Sequence, residues 1–137
     1  MIFLSKTREL NKNKIIKPLY IYVAGPITAK TNDNINDIPR IVHLNVKKAI
    51  FVSIELIKKG HYVFTPHLDH FLNIEVEKEV FTNEFWYKYD YGWLKKCDAL
   101  FYIESSRGAD NELKWAKKHG LKIFYSLDEV PTVTSIS

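Results

Sequence analysis

Three residues close together in the sequence, Ser106, Gly108 and Glu112, have the types and spacing that a chemical site requires. Ser106 and Gly108 stand at the start of a predicted helix, where free backbone N–H groups and the helix dipole favour an anion. Glu112 is predicted to lie in the first turn of the same helix. The sequence therefore predicts a carboxylate beside an anion-binding turn, and we expect the chemistry of the protein there.

The segment around these residues has the pattern of a strand, a tight turn and a helix. Residues 99–103 are apolar over the length of a buried strand, and residues 104–108 are small or polar. Residues 109–119 have a helical pattern, which Gly120 ends. Open α/β sheets build their ligand sites in turns of this kind, at the carboxyl ends of the strands.

The rest of the chain alternates between segments typical of strands and of helices. In order, the predicted elements are a strand at 18–24, a loop at 29–40, a helix from 41 to 60, a strand at 61–65, a loop with a short helical piece at 68–82, a helix at 83–96 and a strand at 121–126. This alternation predicts a small doubly wound α/β domain, Rossmann-like or flavodoxin-like, with a parallel sheet of four to five strands flanked by helices.

The spacing of apolar residues predicts which helix faces are buried. On the helix at 41–60 the predicted core residues are Val46, Ala49, Ile50, Ser53, Ile54 and Ile57. On the helix at 83–96 they are Phe85, Tyr89, Trp93 and Leu94. The other aromatic residues of that second helix are candidates for stacking on a base or for covering a dimer interface.

Composition restricts the class of protein. A chain of 137 residues corresponds to one domain, which we place at 18–130, with a polar N-terminal arm at 1–17 and a C-terminal tail at 131–137. The single cysteine, Cys97, leaves no internal disulfide and fits a cytoplasmic location.

No apolar run approaches the roughly 18 residues of a membrane span. The net charge of +4 comes mostly from scattered lysines, which favours a solvated surface over a nucleic-acid polymer as partner.

Four motifs together resemble the nucleoside 2-deoxyribosyltransferase superfamily. They are YVAGPIT at 22–28, TPH at 65–67, YDYGWLKKCDAL at 89–100 and SSRGADNE at 105–112. The resemblance is closest to the branch of 2′-deoxynucleoside 5′-phosphate N-hydrolases and nucleoside monophosphate N-glycosidases. It implies a hydrolase that releases the base from a (deoxy)nucleoside 5′-monophosphate through a glutamate nucleophile, without a metal or other cofactor.

The resemblance also implies roles for individual residues. Glu112 matches the nucleophile, and Asp90 matches the aspartate that orients the sugar or helps to protonate the departing base. Tyr22 matches an aromatic residue near the sugar and the nucleophile. Ser106 stands where transferases of free nucleosides carry an aspartate and where the monophosphate branch carries a serine, and a serine hydroxyl can donate to a phosphate.

Further substrate-binding residues are predicted at the tips of the first three strands. They are Gly25, Ile27, Thr28, His67 and Gly108. Gly25 would allow close backbone approach, and His67 matches a histidine of the monophosphate branch. That branch often carries an arginine where this chain has Thr28, so Lys30 or Arg107 is the candidate source of positive charge.

Other functions stay open at this point. A transferase that exchanges bases is a close alternative, and a nucleotide-binding sensor without turnover is another. His67, Asp69 and His70 could ligate zinc, but two histidines three apart in a loop are weak support, so we predict no metal. We expect a nucleotide or nucleoside as the small-molecule partner and a homodimer or higher homo-oligomer, with neither a membrane nor a nucleic-acid polymer as partner. The preferred base and sugar are not predicted.

Overall fold

The computed structural model describes residues 15–28 and 33–134, which form a four-stranded parallel sheet flanked by helices. The strands are β1 (Tyr20–Ala24), β2 (Tyr62–Phe64), β3 (Ala99–Tyr102) and β4 (Lys122–Phe124). The helices are α1 (Ile38–Lys58), α2 (Asp69–Asn73), α3 (Asn83–Leu94) and α4 (Arg107–Lys118), with 3₁₀ turns at Ile35–Asp37, Pro66–Leu68 and Leu127–Glu129. The strand order β2-β1-β3-β4 and the parallel pairing confirm the predicted Rossmann-like class.

Helix α1 begins earlier than the sequence predicted. The predicted loop at 29–40 contains a 3₁₀ turn capped by Asn34, whose side chain accepts from the Asn36 N–H, and α1 starts directly after it at Ile38. Pro39 lies in the first turn of α1, where a missing N–H costs nothing because that turn has no internal acceptor. The proline therefore marks the start of a helix, not the end of a loop.

One face of the sheet is covered by α1, but the buried face of this helix differs from the predicted one. The buried residues of α1 are Val46, Ala49, Val52, Ser53 and Leu56. Ile54 and Ile57 were predicted to be inside, yet they are 47% and 57% exposed. Apolar residues occur on several sides of this helix, so periodicity alone could not select the face, and packing against Ile21 and Phe101 of the sheet did so.

The other face of the sheet packs against α3 and α4. Leu94 of α3 and Ala109 and Ala116 of α4 are buried against Tyr22 and Leu100. Phe85, Tyr89 and Trp93 were predicted to face inward, but they are 37–47% exposed. Only Leu94 of that predicted set is buried. The ring of Trp93 instead stacks on Phe64 at the edge strand β2, with ring centroids 5.0 Å apart.

The two ends of the described chain meet near the amino ends of β1 and β2. The Ile16 N–H donates to Thr134 Oγ1 at 2.8 Å, and the Thr134 N–H donates to the Ile16 carbonyl at 3.1 Å. Nearby, Gly60 has a φ of +100°, and a Cβ there would lie 2.7 Å from Val133 Cβ. The last residues of the predicted arm and the first residues of the predicted tail are therefore tied to the domain, and the remainder of both lies outside the described residues. None of the described helices combines the length and apolarity needed to cross a membrane.

Candidate active site

A cleft of about 460 Å³ lies at the carboxyl ends of the parallel strands. The segments that line it are the loop after β1, the turn after β2 with α2, helix α3, and the start of α4. Most of the predicted site residues line this cleft, namely Gly25, Ile27, Thr28, Asp90, Ser106, Gly108 and Glu112. The fold therefore brings these residues of the predicted site to one place. Lys30 lies outside the described residues, whereas Arg107 lines the cleft.

The N-terminus of α4 carries several of these groups. Ser106 is the N-cap residue, and its Oγ accepts a hydrogen bond from the Ala109 N–H at 3.1 Å. This cap starts the helix at Arg107, two residues before the predicted start. Glu112 consequently lies in the second turn of α4, not in the first as predicted.

A hydrogen-bonded brace holds the turn between β3 and α4, and the sequence did not reveal it. The carboxylate of Asp110 accepts from the Tyr102 hydroxyl at 2.6 Å and from Ser105 Oγ at 2.7 Å. These two hydrogen bonds, that of Tyr102 above all, lower the pKa of Asp110. The brace joins the end of β3 to the first turn of α4, so it fixes the position of Ser106 and orients the helix that carries Glu112.

Glu112 forms a hydrogen bond with Tyr22 of β1, a buried residue of the sheet. The Tyr22 hydroxyl donates a hydrogen bond to Glu112 Oε2, and the tyrosine side chain is completely buried. Burial raises the pKa of Glu112 from 4.5 to about 7, and the hydrogen bond from Tyr22 opposes this rise. Burial and the nearby carboxylates raise the pKa of Tyr22 well above its ordinary value. Tyr22 is therefore a permanent donor, and Glu112 is partly ionised at neutral pH.

Asp90 lies in the same cleft and prefers its protonated form. Burial, contact with Asp69 and the charge of Glu112 together raise the pKa of Asp90 far above its ordinary value. Burial also raises the pKa of Asp69. The sequence places Asp69 at the tip of β2, at the same edge as the other candidate residues, but a possible metal ligand was the only role considered for it. The site thus combines an ionisable carboxylate with a carboxylic acid.

His67 does not line the cleft, in contrast to the prediction that it binds substrate. The side chain is 1% exposed, and its Nε2 donates to the carbonyl oxygen of Gly25 at 3.1 Å. Burial lowers the pKa of His67 to about 4, so the imidazole is neutral. Gly25 was expected to allow close approach to its backbone. The atom that approaches it is in the side chain of Ile103, since a Cβ on Gly25 would lie 3.1 Å from Ile103 Cβ. His67 therefore supports the loop after β1 from beneath.

Other parts of the cleft are more open or were not predicted. A Cβ on Gly108 would meet no atom within 4 Å, so the start of α4 leaves space beside it. Asn45 Nδ2 donates to the Ile27 carbonyl at 3.3 Å and holds the loop that presents Thr28. Trp86 of α3 lines the opposite wall. In the described part of the chain, no group of three or more histidine, cysteine or acidic side chains is arranged to hold a metal ion.

Substitution of Tyr22 by phenylalanine is expected to raise the pKa of Glu112. The substitution removes the donor that stabilises the ionised carboxylate, and loss of such a hydrogen bond corresponds to about one pH unit or more. NMR titration of the Glu112 side-chain carboxyl carbon would measure this change. Tyr125→Phe is the matched control, because Tyr125 contacts the ring of Tyr102 and not Glu112. An unchanged midpoint in Tyr22→Phe would contradict the assigned hydrogen bond.

The fold and the cleft define an α/β protein whose carboxyl-lined site lies where the strands of a parallel sheet end. The chain belongs to the family described as a domain of unknown function, DUF4406, whose profile matches residues 19–125. No curated protein matches the chain significantly. Among solved structures, it is similar to a 2-deoxyribosyltransferase from the psychrotolerant bacterium Bacillus psychrosaccharolyticus, with a TM-score of 0.52 and 23% identity. The similarity covers 76% of this chain and 69% of that chain, and it shows that the two proteins share a fold.

Proposed function

We propose that the protein is a hydrolase that cleaves the N-glycosidic bond of a (deoxy)nucleoside 5′-monophosphate into free base and sugar phosphate. The observation that carries the proposal is the presence in one cleft of Glu112, bound by the Tyr22 hydroxyl, and of Asp90, whose burial raises its pKa and so favours the protonated form. A nucleophilic carboxylate and a carboxylic acid are the two groups that a double-displacement glycosidase needs. The fold shared with a 2-deoxyribosyltransferase gives independent support.

In the first step Glu112 attacks the anomeric carbon of the sugar. A bond forms between a carboxylate oxygen and that carbon, and the bond from the carbon to the base nitrogen breaks, with its electron pair passing to the base. Asp90 donates its proton to the base, so that a neutral base departs. In the second step a water molecule attacks the glycosyl-enzyme ester, Glu112 leaves as a carboxylate, and the proton of the water returns to Asp90.

The start of α4 supports a monophosphate as the substrate. The Oγ of Ser106 accepts from the Ala109 N–H, so its own hydroxyl proton is free to be donated to a phosphate oxygen. Arg107 lines the cleft and supplies positive charge, and Gly108 leaves open space beside it. The helix dipole favours an anion at the same place. Arg107 is thus the residue that we propose in place of the family arginine absent at Thr28.

A panel of nucleosides and their 5′-monophosphates, with ribose and deoxyribose, tests this proposal. Purified protein is incubated with each compound, and free base is followed by chromatography. We expect base release from the monophosphates, and none from Glu112→Gln. Glu84→Gln is the matched control, because Glu84 is an exposed residue of α3 outside the cleft, and it is expected to behave like the wild type.

The same panel separates the competing functions. Release from free nucleosides that increases with an added acceptor base would favour a transferase, the activity named for the structural neighbour. Nucleotide binding without release of base from any compound would contradict the enzyme and favour a sensor.

The association state and location are further parts of the proposal. The exposed aromatic residues of α3, among them Phe85 and Tyr89, form an apolar surface that supports a homodimer or higher homo-oligomer. The mass in solution, measured by sedimentation, would test this. The lone Cys97 supports a cytoplasmic location.

A further inference from the structure

The carboxyl groups of Asp69 and Asp90 meet inside the cleft, although they belong to different helices. Asp69 is the first residue of α2, and Asp90 lies in the last two turns of α3. Both side chains line the cleft, and each changes the pKa of the other. One oxygen of each carboxyl group, Asp69 Oδ2 and Asp90 Oδ1, is buried, and no hydrogen-bond donor among the described residues reaches it. This contact brings together two groups that would repel each other if both were ionised.

A hydrogen bond between two carboxyl groups requires that one of them holds a proton. Ionised carboxylates only accept hydrogen bonds, so two ionised carboxylates have no donor and cannot form a hydrogen bond with each other. No lysine or arginine forms an ion pair with Asp69 or Asp90 in the described residues, where the ion pairs lie on the surface. Without a cation to neutralise them, the two groups are most stable with one proton between them.

Charged groups on other elements also act on the pKa of the pair. Glu112 of α4 adds negative charge, and Tyr22 of β1 is already engaged with Glu112. His70 of α2 and Arg107 of α4 also line the cleft, and the positive charge of Arg107 opposes the effect of Glu112. Because like charges repel, ionisation of Glu112 raises the pKa of the pair.

We propose that Asp69 is a positioning residue that shares one proton with Asp90 and thereby keeps Asp90 as the acid that faces the departing base. This inference rests on the proposed function for the role of the acid. Asp69 contacts Asp90 and acts through it. The arrangement explains how one cleft can contain an ionised Glu112 and a protonated Asp90 at the same pH, because the negative charge that Asp69 retains keeps the proton on Asp90.

The titration of Asp90 in the full chain tests the pair without any assay of activity. In Asp69→Asn the side chain at 69 no longer carries charge, and its amide can donate to an ionised Asp90. The titration midpoint of the Asp90 carboxyl carbon, followed by NMR, is expected to fall by about one pH unit or more. Asp69→Glu, which can restore the pair, is expected to return the midpoint toward the wild-type value. Asp128→Asn, an exposed change outside the cleft, is expected to leave it unchanged.

The pH dependence of base release tests the role of the pair in catalysis. In Asp69→Asn the alkaline limb of the rate profile is expected to move to lower pH by the same amount as the Asp90 midpoint. At pH 10, above the pKa of Asp90, which is about 9 in the wild type, the rate would fall about tenfold, with a smaller loss at pH 7. A loss of rate that is equal at every pH, with an unchanged Asp90 midpoint, would show a merely structural role and overturn the proposal.

The two readouts distinguish failure of this inference from failure of the proposed function. If the wild type releases no base but the Asp90 midpoint falls in Asp69→Asn, the proton-sharing pair stands, while the proposed function and the role of the pair in it are overturned. If the wild type releases base and neither the midpoint nor the alkaline limb moves, the proposed function stands and the pair is overturned.

Discussion

Replacement of Glu112 by glutamine is expected to abolish base release and to make the folded protein more stable in alkaline solution. Glutamine has nearly the same size and can still accept the hydrogen bond from Tyr22, but it is not a nucleophile. We expect the rate to fall by about 10³-fold or more, as for other enzymes that lose their nucleophile. Chromatography of the released base would measure the loss.

The gain in stability follows from the raised pKa of Glu112. Its pKa is about 7 in the folded protein against 4.5 for an unperturbed glutamate, so the folded state binds the proton more tightly than the unfolded chain does. The free energy of unfolding therefore decreases as the pH rises from 4.5 to 7. This separation corresponds to about 3 kcal/mol at most, which glutamine would recover.

Urea unfolding of both proteins across the pH range would measure this gain. Glu112→Gln is expected to unfold at higher urea concentration than the wild type at pH 8.5, and the difference is expected to vanish below pH 4.5. Glu84→Gln provides the control for the loss of one acidic side chain at an exposed position. Equal stability of Glu112→Gln and wild type at pH 8.5 would contradict the burial of an ionised carboxylate. Undiminished base release by Glu112→Gln would remove Glu112 from the reaction.

Replacement of Asp90 by asparagine is expected to slow base release by about 10²-fold or more for ordinary nucleotides. Asparagine is neutral, as the protonated Asp90 is, so the fold should accept it at neutral pH. It cannot donate a proton to the base, however, so the base would have to leave as an anion. Steady-state rates with unmodified monophosphates would measure this loss, and Asp128→Asn is the matched control.

A nucleotide with an activated base separates acid catalysis from a structural effect. The base 7-methylguanine carries a positive charge while it is attached to the sugar, so it departs as a neutral molecule without receiving a proton. With the 5′-monophosphate that contains it, Asp90→Asn is expected to remain within about tenfold of the wild type. Equal losses with the activated and the ordinary nucleotide would show that Asp90 acts by position alone.

The order of strands and helices was accessible from the sequence because each element has a local pattern. Short apolar runs at 18–24 and 99–103 predicted strands that the structure places at the centre of the sheet. Parallel strands must send their carboxyl ends to one edge, so residues after them, such as Gly25 and Ser106, had to approach each other. For this reason the position of the cleft, with Glu112 and Ser106 in its lining, could be predicted from the sequence.

The contacts within the site were decided only by the tertiary structure. Tyr22 and Glu112 are 90 residues apart, and no local pattern reports that the hydroxyl of one meets the carboxylate of the other. His67 follows β2 as predicted, but its side chain is buried in the core. Asp69, two residues later, lines the cleft instead. The pKa values of Glu112 and Asp90 depend on burial and on neighbours from other elements. The sequence determined which groups reach the edge of the sheet. Long-range packing determined which of them contact one another, because side-chain contacts depend on distances that the chain order does not contain.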